Sequence, residues 1–368
     1  MKNSDVIFEE RLTQVRNEFE GWGVAGIYIS SPENRRWLSG FSGSAGVLLV
    51  TQDQALLATD FRYFEQAGAQ APAFTLFKHQ RTDEDTKRLL ETAGKGNSPY
   101  PVGIEATQMT LSEFATLQKF DHVTWVPLEE TLESLRAIKS ADELTKIRAA
   151  AAITDKAMAQ FPQIAHPGIT EQAAAWALEK AMREAGAEAM AFDVIVASGS
   201  NAALPHHHPG ERVLRVGDPI IVDMGAQVDG YKSDMTRSFF LGEPDEKYWS
   251  VYNLVLEAET AVIQQARPGM SSRTVDSIAR DLITNAGHGE HFGHGLGHSL
   301  GLFIHESPFL THLPRGEKHS IETGMAVTIE PGVYLPGWGG VRIEDLVLVT
   351  ETGLEPISHC PKEPIIPS

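Results

Sequence analysis

Two stretches of this chain, 101 residues apart, are punctuated in the same way, and that repeat constrains the fold more than any other feature. Pro167-Gly168-Ile169-Thr170 opens a helical segment that closes at Ala185-Gly186, and Pro268-Gly269-Met270-Ser271 opens another that closes at Ala286-Gly287. Each spans 18 positions from Pro to Ala. Thr or Ser at the start and Gly at the end are helix-capping chemistry. Each copy is followed by a Gly and, six positions on, by a carboxylate ending an apolar run: GDPIIVD (Gly217 to Asp223) and GMAVTIE (Gly324 to Glu330). Each then turns into another strand with a second acid, at Asp234 and at Glu344. An internal repeat reads as two related structural halves. Two such halves facing each other would bring four carboxylates to one centre.

Alternate side chains of a strand share a face. In KSDMTRSFF, Asp234 therefore shares its face with Thr236 and Ser238; in VRIEDLVLVT, Glu344 shares its face with Arg342 while Asp345 points away. Like charges about 4 Å apart repel by roughly 4 kcal/mol at an effective dielectric of 20. Four clustered carboxylates must therefore hold protons or cations, and two divalent cations would neutralise them.

The rest of the chain supplies a second domain. At 368 residues it exceeds what one hydrophobic core usually organises. Phe8, Leu12, Val15 and Phe19 recur at helical spacing after a Ser4/Asp5 cap candidate. The runs VAGIYIS, GVLLVT and FTLFKH read as buried strands, and PVGIEA and HVTWVPL complete a small α/β domain. Near Leu128 the pattern turns to a long helical stretch in which Ser140 and Glu143 have capping-box spacing. This reading gives an N-terminal domain over 1–127 and a second over 128–368. A net charge of −18 argues against nucleic acid or an anionic membrane as partner. The single cysteine, Cys360, cannot form an intrachain disulfide, which suits a reducing compartment. The opening MKNSDVIFEE lacks the basic and apolar regions of a signal peptide, and no apolar run approaches the roughly 20 residues that span a bilayer. A cytoplasmic protein is expected.

Nitrogen ligands are available in HFGHGLGHSLGLFIHE. His294 and His298 lie four apart, but the Glu of an H-E-x-x-H zinc motif is missing, and Gly295 and Gly297 argue for a loop. The same glycines do not form G-x-G-x-x-G, so a dinucleotide site is excluded.

Together, DMGAQVDGYKSDMTRSF, HGLGHSLGLFIHE, TIEPGVY and GVRIED resemble the Xaa-Pro aminopeptidase and Xaa-Pro dipeptidase (prolidase) family, over essentially the whole chain. NRRWLSGFSGSAGVLLV and TDFRYFEQA look like the N-terminal domain of those enzymes. The resemblance implies an α/β N-terminal domain of creatinase type followed by a pita-bread domain with pseudo-two-fold duplication. It implies a metallopeptidase that hydrolyses N-terminal Xaa-Pro bonds. Asp223, Asp234, His298, Glu330 and Glu344 would be the ligands of two divalent metal ions, with Asp234 and Glu344 bridging. A water or hydroxide between the ions would be the nucleophile and Glu330 its general base. His206 in PHHHPG and His305 in FIHE match catalytic histidines on the substrate side, His294 lines the proline pocket, and Arg342 orients substrate-side ligands beside Glu344. His207 and His208 are expected to face solvent.

Four carboxylates and one imidazole make a hard site, favouring Mn²⁺, with Co²⁺ and Zn²⁺ as alternatives. The resemblance also implies a homodimer acting on Xaa-Pro peptides. A creatinase-like amidinohydrolase and a non-catalytic scaffold on the same fold are the competing readings, and both types of relative lose ligands that this chain keeps. Some prolidases carry H-E-x-P-R, whose arginine meets a dipeptide's carboxylate. Here His305-Glu306-Ser307-Pro308-Phe309 puts a neutral ring in that place, which leans towards longer peptides unless Arg315 reaches the same point.

Overall fold

The computed structural model describes residues 3–93 and 99–367. The chain falls into two compact units, Met1–Arg136 and Ala137–Ser368. The division read from sequence, after residue 127, coincides with the last strand of the first sheet. The division of the units falls later, inside the short helix Glu133–Ala137 that follows that strand.

In the first unit the helix Asn3–Trp22 buries Leu12, Val15 and Phe19. Ser4 and Asp5, read from sequence as preceding it, fall within its range. Six strands form one mixed sheet in the order Thr75–Lys78, Ala55–Thr59, Val47–Thr51, Gly26–Ile29, Tyr100–Glu105, Val123–Leu128. FTLFKH is not a buried strand as expected: it is an edge strand, exposed at Thr75 and Lys78. Ala55–Thr59, which sequence reading missed, forms a tight antiparallel hairpin with Val47–Thr51. Leu49, Leu56, Leu89, Leu90, Val102 and Val123 form the core beneath the sheet.

The second unit is the duplicated α/β frame of a pita-bread fold. Its first half packs the helices Ala141–Met158 and Glu171–Glu184 against a sheet ordered Ile365–Ile366, Met235–Leu241, Pro219–Met224, Ile195–Ser198. Ile153, Met158, Leu178 and Met182 meet Val196, Ile220, Val222 and Phe239 there. The second half packs Glu246–Gln265 and Ser272–Asn285 against Glu306–Leu310, Gly297–Ser299, Ala326–Ile329, Asp345–Thr350 and Gly353–Pro356. Val251, Val255, Val275 and Ile283 meet Val327, Ile329, Val347 and Val349 in its own core.

The repeat extends to individual hydrogen bonds. Thr170 and Ser271 each cap a helix of 14 residues by accepting from Ala173 N and Thr274 N. Gly168 and Gly269 take φ of 93° and 89°, a region open to glycine at little cost. Their amides donate to Leu214 O (3.0 Å) and Ile321 O (2.8 Å), and the next capping-turn amides, Glu171 and Ser272, donate to Arg212 O and His319 O, both 2.9 Å. Each helix start is thus stitched to the segment that leads into its half's acid-bearing strand. The Ser140/Glu143 capping box is present as read from sequence.

Candidate metal centre

The first-half acids stand on one hairpin. Pro219–Met224 pairs with Met235–Leu241, placing Asp223 opposite Thr236, and Asp234 lies immediately before the second strand. The second-half acids flank equivalent positions: Glu330 follows Ala326–Ile329, and Glu344 sits between Gly339–Arg342 and Asp345–Thr350. Strand parity holds. Thr236 Oγ1 donates to Glu344 Oε2 at 2.7 Å, Ser238 Oγ donates to Arg342 O at 2.8 Å, and Asp345 points to the opposite side, against Arg237 and Lys362.

His298 is in the short strand Gly297–Ser299, while Gly295 stands in the irregular segment before it, so the expected loop holds at Gly295 and gives way to a strand at Gly297. Both glycines serve close approach. A Cβ on Gly297 would stand 2.0 Å from Thr328 O, and one on Gly295 would stand 2.7 Å from Leu310 O. His298 Nδ1 lies 3.0 Å from Ser299 O and can only donate there. Nε2 then presents a lone pair, 3.6 Å from both Asp234 Oδ2 and Glu330 Oε1. Ligand atoms of Asp234, His298 and Glu344 all lie within 4.8 Å of one another.

Burial, then mutual repulsion with Glu344, Asp223 and Glu330, pushes the Asp234 carboxyl far above its ordinary range. Burial, then Glu330 and Asp223, does the same to Glu344. Burial raises Glu330 to about 8 against the opposing pull of Arg342. Asp223 is raised by burial although Arg342 sits 2.6 Å away. Burial lowers His298 to about 4, helped by His305, so the imidazole is neutral. Asp223 Oδ1 is buried and has no hydrogen-bond partner among the described residues. Crowded acids, an orphaned carboxylate oxygen and an imidazole lone pair aimed among them fit divalent cations, which replace the protons such a cluster otherwise retains.

The centre forms the floor of a cavity of about 480 Å³ lined also by His206, His294 and His305. The His305 ring stands edge-on to that of His298, with centroids 4.5 Å apart. His294 Nδ1 donates to Gly295 O (2.7 Å), so its Nε2 accepts from Tyr334 OH at 2.9 Å. Arg342 donates to the same hydroxyl (2.9 Å), to Thr236 Oγ1 (3.0 Å) and to Asp223 Oδ2 (2.6 Å). Tyr334 joins Arg342 to His294, a link that sequence reading missed although the residue ends TIEPGVY. Burial leaves His294 near 4 and Tyr334 near 12, so both are neutral. His208 is exposed, as expected, but His207 is not: its ring turns inward, 2.8 Å from the fully buried Glu171 carboxylate. Arg315 lines the cavity too, its guanidinium 5.0 Å from the Phe309 ring centroid.

A neutral imidazole and four crowded acids at the base of a substrate-sized cavity, on a duplicated α/β frame, define a metal-dependent hydrolase. Residues 145–351 match metallopeptidase family M24 and residues 11–138 match the creatinase/prolidase N-terminal domain, so the chain belongs to this peptidase family. It is 35% identical to the Xaa-Pro dipeptidase of Pyrococcus furiosus, over 96% of this chain and 99% of that relative. Among solved structures, the Xaa-Pro dipeptidase from Bacillus anthracis is similar with a TM-score of 0.93 and 38% identity, covering 97% of this chain and 99% of that one. The X-Pro aminopeptidase from Thermotoga maritima gives 0.86 and 31%, covering 97% and 100%. No helix among the described residues is long and apolar enough to cross a membrane.

Proposed function

We propose that this enzyme hydrolyses the bond between an N-terminal residue and a following proline, with dipeptides as its preferred substrates. The observation that carries the reading is the donor set itself: Asp223, Asp234, His298, Glu330 and Glu344 around one cavity floor. These five residues would hold two divalent cations, Mn²⁺ ahead of Co²⁺ or Zn²⁺, because oxygen donors dominate and no thiolate contributes. When bound, the cations would supply Lewis acidity, activating water and polarising the scissile carbonyl.

The chain's own residues do the rest. Glu330, whose ordinary acidity is suppressed by burial, takes the proton of the attacking water. His206 and His305 face the substrate across the cavity and serve the developing charge and the departing nitrogen. His294, neutral and fixed by Tyr334, offers an apolar ring face to proline. Arg342 holds Asp223 and Thr236 in place from behind.

Substrate length follows from Arg315. Phe309 carries no charge, but Arg315 lines the same cavity with its guanidinium over that ring and without a carboxylate partner among the described residues. It supports binding of a free C-terminal carboxylate, against the lean towards longer peptides that Phe309 alone gives. The test compares kcat/KM for Ala-Pro and Ala-Pro-Ala with Mn²⁺ added, before and after chelation. Ala-Pro should win by about tenfold or more, the scale of one charge-assisted hydrogen bond, and Arg315→Met should erase the preference. Faster cleavage of Ala-Pro-Ala would return the enzyme to the aminopeptidases. We also propose a homodimer in the cytoplasm, on family resemblance and on the lone buried thiol of Cys360; sedimentation of the metal-loaded protein tests the dimer.

A further inference from the structure

The segment from Ser198 to Gly210 carries His206 to the cavity, yet it has little regular structure beyond a 3₁₀ turn over Gly199–Ala203. A loop of this kind presents a side chain reproducibly only when its polar groups are tied to something rigid. Here they converge on one carboxylate. Glu171 has no exposed surface. Its Oε1 accepts from the Ser198 amide (2.8 Å) and the Ser198 hydroxyl (2.7 Å), and both its oxygens accept from Asn201 Nδ2, at 3.0 and 3.1 Å. Its Oε2 also accepts from His207 Nε2 (2.8 Å) and from the Gly210 amide (3.4 Å). The partners span the loop from its first residue to its last.

The anchor is itself held. Glu171 is the first residue of a capped helix, its own amide donates to Arg212 O, and Gln172 N donates to Gly210 O at 3.1 Å. A carboxylate buried this deeply needs donors of this number and quality to remain charged. The duplication does not require it, because the repeat-related residue in the second half is Ser272, whose hydroxyl has no partner among the described residues. The acid is present in the half that has a loop to hold. Within the His206-His207-His208 tripeptide only the middle ring meets Glu171, while its neighbours are more exposed. Fixing His207 on Glu171 therefore fixes the direction in which His206 leaves the chain.

We propose that Glu171 and His207 are positioning residues: the buried pair locks the Ser198–Gly210 loop so that His206 is presented to the substrate. This rests on the reading above that His206 acts on the substrate. Neither residue contacts the predicted metal ligands, so the pair should govern turnover and leave metal content alone.

The test uses the full chain loaded with Mn²⁺, Ala-Pro as substrate, elemental analysis, and amide hydrogen exchange over 198–210. His207→Ala should lower kcat about tenfold to a hundredfold, the usual effect of a misplaced reacting group, with KM and metal content unchanged. His207→Gln, whose amide can donate to Glu171 from nearly the same point, should recover most of that loss. In a His206→Ala background, His207→Ala should cost nothing further, because the pair acts through His206. Glu171→Gln should speed exchange of the loop amides while the sheet amides keep their protection. An equal loss from His207→Ala in both backgrounds, a parallel loss of metal, or unchanged loop exchange would overturn the proposal. If Glu171→Gln does not fold, the two His207 variants decide. Exchange reads the anchor without catalysis, so absence of Ala-Pro hydrolysis by the unmodified enzyme would defeat the functional reading separately.

Discussion

The proton on His298 goes to the Ser299 carbonyl, and the nitrogen facing Asp234 and Glu330 therefore carries a lone pair. A lone pair set among carboxylates is repulsive until a cation lies between them, which separates His298 from the other cavity histidines. His298→Ala should lose metal, whereas His206→Ala and His305→Ala should lower kcat with metal content intact. Elemental analysis beside initial rates checks the division, and equal metal loss in all three would sink it. Glu330→Gln should keep the fold and lose activity by at least about a hundredfold, since in the proposed mechanism it removes a metal charge and the base together; near-normal turnover by a metal-loaded Glu330→Gln enzyme would falsify that mechanism. Much of this was legible residue by residue. Period-2 alternation put Thr236 and Arg342 on the acids' face and Asp345 on the other, and the structure has them there. His207 was misread because a loop has no period: nothing in PHHHPG says which ring turns inward, and its partner Glu171 lies 36 positions away.

Helices were easier to read than strands at the scale of elements, for a physical reason. Caps and C-terminal glycines are local chemistry, so Thr170, Ser271 and the Ser140/Glu143 box mark their helices directly. A strand's place depends on distant partners. Ala55–Thr59 went unseen beside its hairpin mate, and FTLFKH looked buried although it closes the sheet's edge. The same limit made Gly297 look like a loop glycine when it permits close strand approach. That difference can be measured. Gly297→Ala would drive a Cβ into the Thr328 carbonyl, parting the strands that carry His298 and lead to Glu330. Overpacking of this kind costs about 1–3 kcal/mol. The variant should melt several degrees lower and bind metal more weakly, although no ligand has changed. Gly293→Ala, with no heavy atom within 4 Å of the added carbon, is the control and should behave as the parent does. Equal melting of the two variants would restore the flexible-loop reading.

At the scale of the whole catalytic unit, the duplication supplies two acids from each half and has to hold them together against their own repulsion. The repeat was visible in sequence because its caps and acids keep fixed offsets; the energetic consequence required the burial seen in three dimensions. With metal chelated, folding forces Glu330 from an ordinary value of 4.5 to about 8, and Asp234 and Glu344 upward as well. At these acids the folded state then binds more protons than the unfolded one, so their contribution to stability falls as pH rises, and three raised acids outweigh the opposite contribution of His294 and His298, which the fold holds neutral. For Glu330 the fall begins near its unfolded value and is complete once pH passes about 8. Metal reverses the sign. Cations bind the deprotonated cluster, so their apparent affinity rises with pH and loading releases protons. The chelated enzyme should accordingly melt at a higher temperature at pH 6 than at pH 8, while added Mn²⁺ should raise the melting temperature more at pH 8. A ligand at a hundred times its dissociation constant stabilises by about 2.7 kcal/mol. In a unit of this size that is roughly 5–10 °C. Melting curves at both pH values, with and without Mn²⁺, measure both effects in one series. A chelated protein that is more stable at pH 8 than at pH 6 would mean that the four acids are not forced together in the folded state, and the case for a shared cation site would fail with it.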